Sequence, residues 1–164
     1  MAASLLLAAI SLGVAHDPAL GAAPRVAEAA QHRAATVPAD QRAFAACVLD
    51  RESGGTLDDP KSGLRARNKQ STASGRWQFL DSQWRVNGGL EWMVAERLAT
   101  HGMAAKAARK VRIHLGRTPI HLWPSWAQDA AFVAALNADG KWSGWRHWYQ
   151  AGSRCNGYVP GWAR

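Results

Sequence analysis

Glu52 is the residue of this chain that is best placed to do acid chemistry. It stands at the predicted end of a helix, directly before residues 53–55 (Ser-Gly-Gly), which stop the helix. Phe44 and Val48 precede it at helical spacing, so its carboxyl group shares their apolar face. Burial against that face and the negative end of the helix dipole both disfavour a charged carboxylate. The position is therefore suited to a general acid, which must hold a proton near neutral pH.

The helix that carries Glu52 is predicted to begin near Asp40, a suitable N-cap residue. Residues of its inner side follow at three- and four-residue spacing: Phe44, Cys47, Val48 and Arg51. A second interpretation is that Glu52 pairs with a nearby arginine at a solvated helix end. The run Arg-Glu-Ser-Gly-Gly alone does not separate the two.

Two further blocks follow in the chain. Residues 73–84 read A-S-G-R-W-Q-F-L-D-S-Q-W, and residues 128–155 contain Q-D-A-A, then G-x-W-x-G-W and a final cysteine. With R-E-S-G-G before them, these blocks resemble the lysozyme-like domain of the resuscitation-promoting-factor and transglycosylase-like group. These are secreted actinobacterial wall enzymes, related more distantly to soluble lytic transglycosylases and goose-type lysozyme. The resemblance covers roughly residues 40–155 and is carried by the order of all three blocks.

The resemblance implies an activity and a set of site residues. The activity is cleavage of the β-1,4 bond between N-acetylmuramic acid and N-acetylglucosamine, with Glu52 protonating the leaving oxygen. Motif position implies these substrate-binding residues: Ser74, Gly75, Trp77, Gln78 and Trp84. The two tryptophans are expected to flank the cleft and stack on sugar rings. Gly75 is expected to let the loop approach the substrate, and Gln78 to hydrogen-bond its N-acetyl or hydroxyl groups.

The second half of the reaction is left open by the sequence. Hydrolysis with two acids needs a partner carboxylate about 5–10 Å away, and Asp81 and Asp129 are the nearest candidates by motif. Related transglycosylases use one glutamate as acid and then as base, which yields a 1,6-anhydro sugar. We expect a transglycosylase that works with one acid. A muramidase, which hydrolyses the bond with water, is the second possibility. A non-catalytic cell-wall-binding module that kept the lysozyme-like fold is the competing function.

The chain predicts a mainly α domain, α+β at most. Its 164 residues, 48% of them hydrophobic, are enough for one globular domain. Helices are predicted over residues 91–101, 103–115 and 128–137, the last capped by Ser125, with an extended stretch over 120–124. A short hairpin is expected around residues 65–80, beside the cleft. Most of the nine tryptophans are expected in the core, with Trp142, Trp145 and Trp148 burying one side of a terminal helix or turn.

The N-terminus predicts export to the cell wall or the medium. Residues 5–15 form an apolar run that is short for a membrane span of ~20 residues, and small residues suitable for cleavage follow it. No Lys or Arg precedes the run, and a disordered alanine-rich tail is the alternative. We predict a signal peptide over 1–23, an Ala/Pro linker over 24–38, and the lysozyme-like catalytic domain over 39–164.

The two cysteines, Cys47 and Cys155, allow one intramolecular pairing. In the resembled group a cysteine often directly precedes the catalytic glutamate, whereas Cys47 stands one helical turn earlier on the same face. A disulfide would join the catalytic helix to the C-terminal tail. The alternative is a pair of buried free thiols in a cytosolic protein.

The chain is basic, with 20 Lys and Arg against 12 Asp and Glu, a net charge of +8. Such proteins bind polyanions, and the densest basic run holds Lys106, Arg109, Lys110, Arg112 and Arg117. No nucleic-acid-binding motif accompanies it, and export would separate the protein from nucleic acid, so we expect no nucleic acid partner. The resemblance to wall enzymes implies peptidoglycan glycan strands, anionic wall polymers and another wall hydrolase as candidate partners. The six histidines lack metal-site spacing, and we expect no metal and no cofactor.

Overall fold

The computed structural model describes residues 18–138, 147–148 and 153–159. Within them the main elements are five α-helices: α1 (Pro18–Ala35), α2 (Arg42–Ser53), α3 (Leu90–Thr100), α4 (Ala105–Gly116) and α5 (Ser125–Leu136). The prediction of a mainly α protein is confirmed. None of the described helices is both long and apolar enough to span a membrane.

The only sheet in the described ranges is one short antiparallel hairpin. Its strands are β1 (Ala73–Ser74) and β2 (Phe79–Leu80), with Ala73 opposite Leu80 and Ser74 opposite Phe79. The hairpin predicted within residues 65–80 is therefore confirmed. The described ranges also contain short helical turns, three of them 3-10 (Ala39–Gln41, Ile120–Leu122 and Arg154–Tyr158) and one π-helical (Ser82–Asn87).

Helix α5 lies at the centre of the core. It packs against α1 and α3, and all its residues from Ala130 to Leu136 except Ala134 are buried. Half of its buried residues are alanines, whose small side chains let neighbouring helices approach closely. Four tryptophans surround this core and are fully or almost fully buried: Trp77, Trp84, Trp123 and Trp148. The expected core role of most tryptophans holds for these four, whereas Trp142 and Trp145 lie outside the described residues.

The segment predicted as a linker is helical instead. Residues 24–35 belong to α1, and Ala30 and Ala34 have no exposed surface. The main-chain oxygen of Ala34 accepts a hydrogen bond from Arg97 Nε at 2.6 Å, and Arg33 bonds to the main-chain oxygen of His101. Composition misled the prediction because alanine is also the best helix former, and its small side chain packs tightly against α5. Cleavage after residue 23 stays a prediction.

Two helix starts and one extended stretch also differ from the predictions. Helix α2 begins at Arg42 after a 3-10 turn that contains Asp40, with Gln41 in the cap position. Helix α5 begins at Ser125, because the main-chain oxygen of Pro124 already accepts bonds from the N–H groups of residues 127 and 128. The stretch 120–124, predicted as extended, opens with a 3-10 turn.

Candidate active site

The C-terminal end of α2 is closed by glycines, as the sequence predicts. Gly54 adopts a left-handed conformation with φ 67°, and its N–H bonds to the main-chain oxygen of Asp50 at 2.9 Å. The N–H of Gly55 reaches back to Leu49 O at 3.4 Å. Only glycine takes this conformation at little cost. The termination fixes Glu52 in the last turn of the helix.

Glu52 is held by its neighbour in the sequence. Arg51 donates to Glu52 Oε1 from Nε at 3.0 Å and also from Nη2. The same guanidinium donates to the main-chain oxygen of Trp148 at 3.3 Å and to Ser153 Oγ at 2.6 Å. Pairing with an arginine, one of the two sequence interpretations, is what the structure has. The helix end is part-buried rather than solvated, since 23% of the Glu52 side chain is exposed.

The C-terminal segment that Arg51 contacts is itself attached to α2. Cys47 and Cys155 lie at disulfide distance, with Cα atoms 5.5 Å apart and 108 positions between them in sequence. The predicted pairing is confirmed. Asp50 forms a second link, an ion pair with Arg154. The disulfide therefore holds this segment within about one helical turn of Glu52 along α2, and the ion pair lies beside it.

Gly75 serves packing rather than approach to a ligand. It has φ 79°, and a Cβ atom at this position would lie 2.4 Å from Gln128 Oε1. That oxygen accepts the N–H of Arg76 at 2.8 Å, while the amide nitrogen of Gln128 donates to Trp123 O at 3.0 Å. The space in front of Gly75 is thus filled by α5. The substrate-approach role predicted for Gly75 does not fit this structure.

Trp77 and Trp84 are core residues. Trp77 has no exposed surface; its ring stacks on Phe132 with centroids 3.7 Å apart, and its Nε1 donates to Asp129 Oδ1 at 2.9 Å. Trp84 is 2% exposed and packs edge-on against Phe79 at 5.1 Å. In this conformation neither ring offers an open face to a sugar. The predicted stacking role is wrong for both, because the motif does not specify which side of the hairpin faces α5.

Ser74 and Gln78 are also buried, at 4% and 9% exposure. Gln78 has φ 50°, a left-handed conformation that is strained for a residue with a side chain. Its amide nitrogen donates to the main-chain oxygen of Gly75 at 2.9 Å and so closes the turn of the hairpin. The five predicted substrate-binding residues are thus gathered in and beside one hairpin, but they face the protein interior rather than a surface cleft.

The two candidate second carboxylates are both engaged in structural pairs. Asp81 pairs with Arg85 and accepts the N–H of Ile120 at 2.9 Å; burial alone would raise the pKa of Asp81, but these hydrogen bonds outweigh it and lower the pKa. Asp129 is bonded to Arg76 and Trp77. Burial raises the pKa of Asp129 above its ordinary value in spite of these partners. These residues were chosen as candidates by their position in the motif, which does not indicate their hydrogen-bond partners.

Arg76 is a structural residue that the sequence analysis missed. It is fully buried, pairs with Asp129 at 2.9 Å, and donates to the main-chain oxygens of Asp59, Ser62 and Thr56. These bonds tie the loop after α2 to α5 and set the position at which the chain leaves the Glu52 turn. The available signal was a single charged residue inside an otherwise uncharged hairpin.

His147 is a part-buried histidine beside the same segment. Burial, helped by the positive charge of Arg51, lowers the pKa of His147 to about 4. Its ring lies 5.1 Å from Trp84 and 4.9 Å from Trp148, centroid to centroid. The imidazole is therefore neutral at ordinary pH and acts as an aromatic packing residue.

In comparisons with protein-family models, with curated proteins and with solved structures, nothing matches this chain. The described ranges contain no group of three or more His, Cys, Asp or Glu side chains that could hold a metal ion. Any functional assignment therefore depends on the geometry around Glu52 and on the motif resemblance.

Proposed function

We propose that this chain is a secreted peptidoglycan-cleaving glycosidase with Glu52 as its general acid. The bond cleaved is the β-1,4 linkage between N-acetylmuramic acid and N-acetylglucosamine. The observation that carries the proposal is the part-exposed carboxyl of Glu52, fixed by Arg51 to a tail that a disulfide holds against α2. A general acid needs both access to the substrate and a fixed position. Glu52 meets both requirements.

The two carboxyl oxygens of Glu52 have different roles in this mechanism. Both bonds from Arg51 go to Oε1, so Oε2 carries the proton and gives it to the glycosidic oxygen. The C–O bond breaks as an oxocarbenium-like transition state forms on the muramic ring. Arg51 keeps its bonds to Oε1 of the carboxylate that remains and so holds it in position for the second step.

The second step uses the same carboxylate as a base. Asp81 and Asp129 are tied to Arg85 and Arg76, which favours a mechanism with one free acid. The Glu52 carboxylate removes the proton from the muramic 6-hydroxyl, and that oxygen attacks the anomeric carbon. The products are a 1,6-anhydro sugar and a reprotonated Glu52, and no water is consumed.

One set of observations favours the alternative, a non-catalytic wall-binding module. The residues that the motif assigns to substrate binding are buried, Trp77 completely so. A module that kept the fold and lost the reaction would show this burial.

Digestion of purified peptidoglycan tests the proposal. The wild-type protein, Glu52→Gln and Asp50→Asn would be incubated with glycan strands, and the released muropeptides identified by mass spectrometry. Asp50 is the matched control, because it is an acid of the same helix whose side chain is 62% exposed and paired with Arg154. We expect release by the wild type and Asp50→Asn but not by Glu52→Gln.

The products separate the remaining classes. Fragments lighter by one water indicate the 1,6-anhydro product of a transglycosylase, whereas reducing ends indicate a muramidase. Binding of all three proteins to the wall without release of any fragment would replace the enzyme with the wall-binding module.

A further inference from the structure

A groove between α3 and α4 lies outside the site described above. It has a volume of about 580 Å³ and a floor of alanines contributed by both helices. Three larger side chains give it chemical character, namely Trp92 from α3 and Arg109 and Arg112 from α4. The proposed reaction at Glu52 uses none of them.

Among the described tryptophans, Trp92 stands out because 61% of it is exposed. The guanidinium carbon of Arg112 lies 3.4 Å from the centroid of its ring, a cation–π stack. A guanidinium held over an aromatic ring can still use its N–H edge to bind other groups. That edge is the part of arginine that binds phosphate and carboxylate groups in a bidentate manner.

The helix that forms one wall of the groove carries charge of one sign. Within Ala105–Gly116 there are four Lys and Arg residues and no Asp or Glu. Arg109 stands three residues before Arg112, so the two guanidinium groups lie on the same side of α4. The acid at the groove is Glu96 of α3. Two arginines about one turn apart above an alanine floor suit a ligand in which anionic groups alternate with short carbon segments.

We propose that the α3–α4 groove binds an anionic polymer of phosphodiester-linked polyols. Its phosphates would bond to Arg109 and Arg112, and its carbon segments would lie over the alanines and beside Trp92. The choice of polymer rests on the proposed function, since a wall enzyme meets such polymers alongside peptidoglycan. Single-stranded nucleic acid fits less well, because its binding sites use successive aromatic platforms. Trp92 is the groove's single aromatic side chain among the described residues, and Arg112 covers one of its faces.

A charge-matched pair of double variants tests the site. A poly(glycerol phosphate) oligomer would be titrated calorimetrically into the full chain, at low and at moderate salt. Arg109→Gln/Arg112→Gln removes two charges from the groove, and Lys106→Gln/Lys110→Gln removes two charges from the same helix outside its lining. We expect the groove variant to lose roughly tenfold or more in affinity, and the control less than about threefold, because only the first removes direct charge-assisted bonds. Equal losses, or no binding by the wild type, would overturn the proposal.

Three further measurements make the result specific. Glu96→Gln should strengthen binding of the oligomer, because it removes the negative charge at the groove. Single-stranded DNA of equal charge should bind more weakly than the oligomer, and tighter DNA binding that depends on the two arginines would replace the proposed ligand with nucleic acid. Glu52→Gln should bind the oligomer like the wild type. Failure of the cleavage proposal and failure of the groove proposal can therefore be distinguished.

Discussion

The guanidinium of Arg51 bonds to the carboxylate of Glu52, the residue that directly follows it. Adjacent residues on a helix point in different directions, so such a pair is not favoured by helix geometry alone. Here Trp148 O and Ser153 Oγ supply the additional acceptors that hold Arg51 in place. The position of Glu52 therefore depends on a segment about 100 residues further along the chain.

We predict that Arg51→Gln slows peptidoglycan cleavage with little change in wall binding. Loss of the guanidinium frees Glu52 Oε1 and also breaks the link to Ser153, so the acid is no longer held in one geometry. Misplacement of a catalytic group costs roughly 10- to 100-fold in rate. The measurement is the initial rate of muropeptide release, alongside sedimentation of the protein with insoluble wall.

The matched control for Arg51 is Arg154→Gln. Arg154 bonds to Asp50 in an exposed pair, with side chains 64% and 62% exposed, and such pairs contribute little stability. We expect its cleavage rate to stay within about twofold of the wild type. A wild-type rate for Arg51→Gln would show that the pair with Glu52 has no positioning role.

The disulfide is predicted to be the largest single contributor to the stability of the tail. Closing a loop of 108 residues between Cys47 and Cys155 corresponds to about 4 to 5 kcal/mol of chain entropy. The double variant Cys47→Ser/Cys155→Ser should lose a comparable free energy of unfolding, measured by urea titration without reductant. Reduction of the wild type should reproduce the loss. If neither treatment lowers the urea midpoint, the pair is not formed in solution.

Local signals in the sequence were sufficient for part of this structure. The helix stop at Gly54 and the hairpin within residues 65–80 follow from residue type and spacing. Cys47 and Cys155 allowed a single pairing, with two free thiols as the alternative, and the structure has the pair. The partner of Glu52 was one of two alternatives, because helical spacing does not show where a long arginine side chain turns.

The sequence did not show which residues are buried, because burial depends on contacts between distant parts of the chain. Trp77 lies against Phe132, 55 positions away, and its role as a core residue depends on how the hairpin faces α5. The alanine-rich composition of α1 suggested a linker. The structure has a helix there, with Ala30 and Ala34 packed in the core. Both errors concern tertiary contacts that periodicity does not encode.

Substitution of Gly54 by alanine would introduce backbone strain alone, whereas substitution of Gly75 would add a steric clash. Both have positive φ, 79° and 67°, but a Cβ at Gly54 meets nothing within 4 Å, whereas one at Gly75 lies 2.4 Å from Gln128 Oε1. We expect Gly54→Ala to lower the free energy of unfolding by about 1–2 kcal/mol, and Gly75→Ala by roughly 1–3 kcal/mol more. Urea unfolding measures both. Equal losses would mean that Gln128 moves away from Gly75 without cost.

His147 gives the protein a predicted sensitivity to mild acid. Burial, with a smaller contribution from Arg51, lowers the pKa of His147 to about 4 in the folded protein, whereas an unfolded histidine titrates near 6.5. Between these two values the unfolded chain binds more protons than the folded one. The free energy of unfolding therefore has its full contribution from His147 above about pH 6.5 and loses it as the pH falls toward about 4.

The variant His147→Phe isolates this effect, because phenylalanine keeps a ring among Phe79, Trp84 and Trp148 and has no proton to gain. Between pH 7 and pH 4.5 we expect the wild type to lose on the order of 2 kcal/mol more than the variant. Titration of the carboxylates, including Asp129, is common to both proteins and cancels in the difference. Urea unfolding at the two pH values supplies the four free energies needed. Parallel losses would mean that the imidazole reaches solvent in the folded protein, so that its pKa is not held near 4.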